Sequence, residues 1–317
     1  MANQAKPLAS STFKLEPILP SDVKRATTVA FFAWVFAVYH VILFGTLLPE
    51  IGAHYNWDIT QQAEIATLIA AGTAVVAFAI GPILDRGGRK SGLLFTVAGA
   101  AVCSALTALG GSLGKWPLVL IRSLSGLGYA EETVNATYLN ELYSAANDPR
   151  LNKRKGFIYS LVQGGWPIGA LMAAGLTALL LPIIGWQGCF IFAAFPAILI
   201  FFMTRRLKES PQFLLHKHVK NLRESGQDSE ARKIAKQHGL DYEQHARAGI
   251  REAFRGASLR PTLVLGGGFL LNWAAIQVFG VLGTTVLTEV HKVSFENSLI
   301  ILVLSNVVGY IGYLTHG

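Results

Sequence analysis

The chain of 317 residues is 52% hydrophobic and only 15% charged, with a mean hydropathy of +0.43. Water-soluble globular chains carry about a quarter charged residues, so this composition indicates a polytopic membrane protein. The formal net charge of +8 does not indicate nucleic-acid binding, because the basic residues cluster between apolar runs without the aromatic residues on which bases stack. Cys103 and Cys189 lie inside apolar runs and predict neither a disulfide framework nor a metal site.

Residues 1–26 are polar, contain three prolines and lack an apolar core, so they predict a tail and not a cleavable signal peptide. Apolar runs of the roughly 20 residues that cross a membrane then recur along the chain. We predict eight spans, at 27–49, 62–84, 91–113, 116–138, 157–181, 184–203, 261–287 and 297–315. The predicted organisation is a six-span N-terminal bundle (27–203), a central loop with short helices (204–260) and two spans of a second bundle (261–317).

The basic residues are distributed unevenly between the linkers. The tail, the turn near residue 85, the linker near residue 153 and the central loop together hold 24 of the 27 Lys and Arg residues. By the positive-inside rule, this side of the membrane is cytosolic. In the central loop, Ser229–His238 predicts a helix capped by Ser229 and ended by Gly239. That helix either lies along the inner faces of the bundles or belongs to a solvated linker.

The segment Gly81–Lys90, Gly-Pro-Ile-Leu-Asp-Arg-Gly-Gly-Arg-Lys, is the first concentration of charge after two apolar runs. It predicts a very short hairpin between spans two and three. Gly87 and Gly88 allow the reversal, since glycine adopts positive φ without steric cost.

Ionisable residues inside spans indicate function, because burying them is costly unless they face a cavity or a partner. At roughly 100° per residue, one face of span four carries Arg122, Ser125, Gly126, Tyr129, Glu132 and Thr133. Arg122 and Glu132 lie ~15 Å apart along the axis, so they do not pair directly. Either they line a water-filled cavity, with Arg122 attracting an anion and Glu132 binding a proton, or neighbouring helices neutralise them for packing alone. Glu131 points to the other side, where we expect a structural hydrogen bond to Asn135.

Other polar residues in the spans are candidates for substrate contact. Tyr39 and His40 lie in the middle of span one, although a lone histidine is more often hydrogen-bonded to a neighbouring helix. Gln163 precedes Pro167, where the helix can bend. Asn272 and Gln277 in span seven either line the cavity or bond between helices.

No catalytic pattern is present in the sequence. Gly266–Gly268 lacks the lysine of a phosphate-binding loop, no His, Cys and carboxylate cluster has metal-ligand spacing, and the acceptor pattern at Asn135 falls inside a span. The sequence therefore predicts no enzyme, no cofactor and no metal.

Several patterns resemble those of the major facilitator superfamily. Gly81-x-x-x-Asp85-Arg86-x-Gly88-Arg89-Lys90 resembles the signature between spans two and three, and Arg122-x-x-x-Gly126-x-Gly128 resembles the fourth-span motif. Glu141 followed by Arg154-Lys155-Gly156 is similar to the pattern after span four, and 208–215 to the pattern after span six in sugar and metabolite porters. The nearest likeness is to metabolite–proton symporters, including aromatic-acid carriers. In those carriers, span one holds acids where this chain has Ala37 and His40, which puts aromatic-acid specificity in doubt.

The resemblance implies an all-α fold of two six-helix bundles that rock around a midplane site. It also implies a cytosolic latch, reaching the second bundle, formed by Asp85, Arg86, Arg89 and Lys90 with Gly81, Gly88, Glu141 and Arg154. Family members have twelve spans, so the eight spans lead us to expect a truncated chain with a complete N-terminal bundle and two helices of the second.

The resulting prediction is secondary active transport of a small organic solute, coupled to protons, by a monomer in the inner or plasma membrane with a cytosolic N-terminus. The cation at Arg122 favours a carboxylate. The expected partners are the substrate, protons and the lipid bilayer, not nucleic acid. The candidate substrate and proton residues are Glu132, Arg122, Tyr129, His40, Tyr39, Gln163, Asn272 and Gln277. An efflux carrier of drugs or metabolites and a non-transporting sensor or scaffold of the same fold are the alternatives.

Overall fold

A computed structural model describes residues 15–110, 113–146, 148–242 and 253–316. Within these ranges, the side chains at 78, 82–85, 152, 277, 279 and 316 lie outside the description. The helices of the first part are α1 (Pro20–Tyr55), α2 (Ile59–Gly87), α3 (Arg89–Gly110), α4 (Lys115–Leu124), α5 (Leu127–Ala146), α6 (Pro149–Gln163), α7 (Gly165–Ala193) and α8 (Phe195–Arg205). They are followed by α9 (Pro211–Glu224), α10 (Asp228–Gln237), α11 (Leu259–Ile276) and α12 (Phe295–His316). Between α11 and α12, π-helical turns at Gln277–Val281 and Val286–Val290 flank the helical turn Gly283–Thr285. The predicted all-α fold is confirmed: in the part of the chain that the structure describes, the regular structure is helical.

Within these ranges, six helical segments are long and apolar enough to cross a membrane: Pro20–Tyr55, Ile59–Gly81, Arg89–Gly110, Lys153–Arg205, Gly256–Ile276 and Phe295–Thr315. The segment Lys153–Arg205 contains 53 residues, which at 1.5 Å per residue is about 80 Å of helix and enough for two crossings. The predicted span four corresponds to α4 and α5. It is absent from the six because it is broken after Leu124 and carries three charged side chains.

Contacts between the helices show that successive spans run up and down. At one end of the bundle, the His54 and Trp186 rings lie 5.8 Å apart, and Lys115 Nζ lies 2.9 Å from Glu64. At the other end, Arg25 donates to the carbonyl of Arg206 over 3.2 Å. We call this second end the turn end, because it carries the Gly81–Lys90 turn, and the first the opposite end.

Gly185 reverses the chain between the predicted spans five and six. It has φ 66° and ψ 177° inside the segment assigned as α7. Before it, a Cβ at Gly165 would lie 3.0 Å from Trp34 and one at Gly169 would lie 3.1 Å from the backbone nitrogen of Tyr39, so α7 runs alongside α1. After it, the chain returns to the turn end and reaches Arg206. Positive φ is costly for a residue with a Cβ, so glycine suits this reversal.

Two further breaks lie close to the middle of the bundle. Ser125 and Gly126 form a turn between α4 and α5, and Ser125 keeps nearly helical angles (φ −65°, ψ −9°). Gly164 separates α6 from α7. The predicted bend at Pro167 therefore occurs three residues earlier, and Pro167 occupies the first turn of α7, where its missing N–H costs nothing.

Helix α1 is the centre of the fold. It is buried along most of its length and packs against α3, α5 and α7. The helix begins at Pro20, so residues 20–26, which the sequence analysis assigned to the tail, are helical. Cys103 and Cys189 are free and buried.

Helices α9 and α10 form a hairpin after α8. Ala231, Ile234 and Ala235 of α10 are buried against Leu215 and Val219 of α9. The apolar side of α10 is therefore a packing face within this hairpin, whereas His238, the last residue of the predicted helix, is exposed. The helix starts at Asp228 after Gln227, so the prediction that Ser229 caps it was wrong. Gly239, with φ +69°, follows its end.

Candidate functional site

A cavity of about 570 Å³ lies between α1, α2, α4, α5 and α11. Its polar wall consists of Thr73, Arg122, Ser125, Tyr129, Glu132 and Thr133, and its apolar wall includes Val41, Phe44, Ile69, Phe269, Trp273 and Val281. A second cavity of about 250 Å³ shares Tyr129 and Thr133 with the first and extends to Gly81, Gly88 and Arg89. The two cavities follow one another from the middle of the bundle toward the turn end, and we call this row of cavities the path.

The structure places Arg122, Tyr129 and Glu132 on one wall, although α4 and α5 are separate helices. The nearly helical angles of Ser125 explain this arrangement, because they carry the angular order of the side chains across the break. The residues that were predicted to share one face of span four therefore still face one side, although the helix is interrupted.

Arg122 is a buried cation, and two of its side-chain nitrogens have no hydrogen-bond partner among the described residues. Its side chain is 3% exposed, and its Nη2 donates to the carbonyl of His40 over 3.0 Å. Its guanidinium carbon lies 5.2 Å from the Phe44 ring centre and 5.5 Å from that of Phe190. Within the described residues, Nε and Nη1 have no hydrogen-bond partner. Because a buried, partly unsatisfied guanidinium is costly, this arrangement favours an anion in the cavity.

His40 and Tyr39 do not line the cavity. His40 Nδ1 shares a 2.8 Å hydrogen bond with Ser104 of α3, and its contribution to the site is the carbonyl that holds Arg122. Tyr39 is fully buried, next to the close contact between Gly169 and α1. Both side chains are therefore packed between helices. The His40 ring is hydrogen-bonded to a neighbouring helix, which is one of the two interpretations of this residue.

Glu132 is half-buried at the cavity wall. Gln163 joins it to α6, because its amide nitrogen donates to Glu132 over 3.3 Å and to the Tyr159 hydroxyl over 2.7 Å. Glu131 is fully buried. Its expected partner Asn135 donates to the carbonyl of Ala30 over 2.9 Å, and the carboxylate oxygens of Glu131 have no well-formed hydrogen bond among the described residues.

An aromatic wall was missed by the sequence analysis. The Trp273 ring lies 4.7 Å from that of Tyr129 and 5.8 Å from that of Trp166, which in turn lies 5.7 Å from Trp34. Asn272, the predicted lining residue, is exposed on α11. The side chain of Gln277 lies outside the described part of the chain. The spacing of Phe269 and Trp273 by four residues was the available signal, since such residues share a helix face.

Toward the opposite end, α1 and the π-helical segment after α11 are in direct contact beside the cavity. Thr284 donates to the carbonyl of Gly45 over 2.7 Å. A Cβ at Gly45 would overlap the Val281 carbonyl oxygen and lie 2.8 Å from its carbon. The absence of a side chain at Gly45 thus lets the π-helical segment after α11 reach the α1 backbone, as small residues do in membrane bundles.

At the turn end, the start of α3 is held by a carboxylate that the sequence analysis did not single out. Glu209 Oε1 accepts from the backbone N–H groups of Arg89 and Lys90 over 2.9 and 3.2 Å. A carboxylate at a helix N-terminus is stabilised by the helix dipole. Gly88 has φ +98°, and a Cβ there would overlap Glu209 Oε2. Glycine is required here on both counts, whereas Gly87 remains within α2.

The side chains of Arg89 and Lys90 bind groups within the first bundle. Arg89 Nη2 lies 3.0 Å from Glu141, and Lys90 Nζ donates to the carbonyls of Arg205 and Leu207 over 3.0 and 2.9 Å. The described contacts of these two residues join spans three, four and six, and their part in a latch to the second bundle stays a prediction.

The remaining described residues of the implied latch do not share the contacts of Arg89 and Lys90. Arg86 and Arg154 are exposed, and Gly81 lines the smaller cavity. The side chain of Asp85 lies outside the described part of the chain.

Comparison with known proteins gives a consistent result. A family model described as Major Facilitator Superfamily matches residues 27–316. Over 175 residues, the chain is 31% identical to a putative metabolite transport protein of Haemophilus influenzae, which covers 55% of this chain and 41% of the relative. A putative niacin/nicotinamide transporter of Bacillus subtilis is 23% identical over 61% of this chain and 46% of its own length. A benzoate transport protein of Acinetobacter baylyi is 24% identical over 58% of this chain and 39% of its own length.

Among solved structures, a D-xylose–proton symporter aligns with 91% of this chain and 67% of its own, at a TM-score of 0.56 and 18% identity. An inward-open xylose transporter from E. coli aligns with a TM-score of 0.54 and 17% identity. These likenesses show the fold. The matches cover less than half the length of the curated relatives named above.

Proposed function

The chain belongs to the major facilitator superfamily, and from this membership we propose that it is part of a proton-coupled carrier of small organic carboxylates. The observation that supports this proposal is Arg122, a buried cation on the cavity wall whose Nε and Nη1 lack partners among the described residues. A carboxylate in the cavity would accept from these donors in a charge-assisted pair.

The shape of the cavity supports a substrate with an apolar body. Trp273, Phe44 and Phe269 form much of the wall that faces the polar residues. Aromatic walls with a few converging polar groups are typical of small-molecule sites. One curated relative is a transporter of benzoate, an aromatic carboxylate. We therefore propose a carboxylate whose flat or apolar part packs against Trp273.

Glu132 is the proposed proton-binding residue. It lies on the same cavity wall as Arg122, and its carboxylate accepts from Gln163 of α6. A carboxyl group that alternates between a wet and a closed cavity changes its proton affinity as its solvation changes. Proton binding at Glu132 would thereby be linked to the opening and closing of the path toward the turn end.

The turn end is the proposed cytosolic end, because 24 of the 27 Lys and Arg residues belong to segments on that side. In this orientation the path runs toward the cytosol, and on the outer side of the cavity Thr284 donates to the carbonyl of Gly45. We propose that this arrangement is an inward-facing state of an alternating-access cycle. The N-terminus is then cytosolic and the membrane is the plasma or inner membrane.

Ligand binding to the purified chain tests the anion site. The probes are benzoate and nicotinate, each compared with its uncharged amide, and binding is measured by calorimetry and by quenching of tryptophan fluorescence. We expect at least one carboxylate to bind more tightly than its amide, and Arg122→Gln to weaken it at least ~10-fold, as for a lost charge-assisted bond. Lys115→Gln is the matched control, because Lys115 is a cation at the opposite end. Equal binding of acid and amide, or equal loss in both variants, would contradict the proposal.

Proteoliposomes that contain the whole carrier of which we propose this chain is part test the proton site. Glu132→Gln should abolish uptake driven by an imposed pH gradient and leave counterflow exchange of the same probe largely intact. The control is Glu64→Gln, which removes an exposed carboxylate at the opposite end. Full pH-driven uptake by Glu132→Gln would remove this residue from the coupling mechanism.

A further inference from the structure

A groove lies on the outer surface at the turn end, between the start of α1 and the end of α8. Its volume is about 760 Å³, and it is open to the surroundings. It is lined by Ser21, Lys24, Arg25, Thr28, Val29, Phe202, Met203, Arg205 and Arg206. The groove thus holds four cationic side chains and no acidic one, and it is separate from the central cavity.

Within the described residues none of the four cations forms a salt bridge, although the Asp22 carboxylate lies near enough to Arg25 to attract it. The nearby acid Asp22 is engaged by Lys208, whose Nζ lies 3.0 Å from it. Arg25 donates to the carbonyl of Arg206 over 3.2 Å, which holds α1 and the end of α8 together without neutralising either charge. The guanidinium carbon of Arg205 lies 4.4 Å from the Phe201 ring centre, so an aromatic ring supports this cation in place.

The position of these charges matches the surface of the hydrocarbon layer. Lys24 and Arg25 directly precede the apolar run of α1, and Arg205 and Arg206 directly follow that of α8. Below them, α8 exposes a continuous apolar stripe in which Phe195 is 61%, Ile198 56% and Phe202 58% exposed. A ligand that fits both features has an anionic head at the level of the charges and hydrocarbon chains along α8.

We propose that this groove binds one anionic phospholipid, with the phosphate among Lys24, Arg25, Arg205 and Arg206 and an acyl chain against Phe202. Basic pockets between membrane helices favour anionic head groups, and each cation near the surface contributes to the attraction. The bound head group would supply the negative charge that the described protein residues do not provide. The lipid would join α1 and α8 at the end of the bundle where Lys90 also binds the α8 terminus.

Native mass spectrometry of the purified chain in detergent tests the proposal. Dioleoyl phosphatidylglycerol, dioleoyl phosphatidylcholine and inorganic phosphate are titrated separately. The groove variant combines Lys24→Gln, Arg205→Gln and Arg206→Gln. The matched control combines Arg150→Gln, Lys153→Gln and Lys155→Gln, which removes the same charge from exposed positions on α6.

We expect phosphatidylglycerol to bind with a stoichiometry of one, and the groove variant to bind it at least about tenfold more weakly. The control variant should bind it like the unmodified chain, phosphatidylcholine should bind weakly to all three, and millimolar phosphate should not displace the lipid. If the groove variant fails to fold, Lys24→Glu alone serves, since this exposed side chain can be reversed in charge without disturbing the core.

Three outcomes would overturn the proposal. Equal losses in the groove and control variants would indicate a general effect of net charge. Equal binding of the two lipids would show that the charge of the head group is not recognised. Displacement by phosphate alone would indicate a site for free phosphate.

Discussion

The contact between α1 and the π-helical segment after α11 depends on the absence of a side chain at Gly45, and Gly45→Ala tests it. The added methyl group would lie 2.8 Å from the Val281 carbonyl carbon, so the two backbones must separate by roughly 1 Å to restore normal contact. Overpacking of this kind costs about 1–3 kcal/mol, and weakening the bond from Thr284 costs about 1 kcal/mol. The better helix propensity of alanine returns about 1 kcal/mol. We expect a net destabilisation of about 1–3 kcal/mol.

Thermal unfolding of the purified protein in detergent, followed by tryptophan fluorescence, measures this effect. The controls are Gly266→Ala in α11 and Gly312→Ala in α12, where an added Cβ meets no atom within 4 Å. These two variants should be neutral or stabilised by up to about 1 kcal/mol, because only the helix propensity changes. The reasoning is refuted if Gly45→Ala unfolds at the same temperature as the controls.

The remaining predictions concern the turn end and the reversal at Gly185. Glu209→Gln should destabilise the protein by about 1 kcal/mol, because the charge at the α3 N-terminus is lost. Glu224→Gln removes a carboxylate from an exposed i,i+4 pair and should change the stability less. Equal shifts of the unfolding temperature would count against the capping role of Glu209. Gly185→Ala should cost at least about 1 kcal/mol at its φ of 66°, and a shift no larger than that of the alanine controls would contradict this. Arg89→Gln should lower the free energy of unfolding by about 3 kcal/mol, because Glu141 is left buried and unpaired. Arg86→Gln should leave the unfolding temperature unchanged. Similar unfolding temperatures for the two variants would contradict this prediction.

The spans could be predicted from sequence because hydrocarbon thickness sets their length and apolar composition marks them. The predicted boundary between spans five and six fell within a few residues of Gly185, since a polar-free chain can reverse there only where glycine or proline permits it. Helix α1 starts at Pro20, seven residues before the predicted start of span one at residue 27. The first turn of α1 is polar, so hydropathy does not indicate that the helix starts at Pro20. This start depends on the packing of the segment.

Side-chain direction was predictable only where a helix is polar on one side. Span four has such a face, and the structure places Arg122 and Glu132 on one wall. In α11 the polar Asn272 was the natural candidate, yet Trp273, turned by about 100°, lines the cavity. Apart from Arg260 in its first turn, α11 has no charged residue, so its sequence does not distinguish the cavity from the exterior. The partner of His40 was likewise beyond prediction, because Ser104 comes from another helix.

The charged turn has two structural parts with different consequences. Arg89 and Lys90, together with Glu209, connect the start of α3 to Glu141 and to the end of α8. These contacts lie within one bundle, so they would be retained while the two bundles of a carrier move relative to each other. Arg86 is exposed and has no ion pair among the described residues. A contact that alternates with the transport cycle must break and form at low cost, and a half-buried bidentate pair such as Arg89 with Glu141 is poorly suited to that. We therefore propose that an alternating latch at this turn uses the part before Gly88, and that the part after it holds the start of α3 in place.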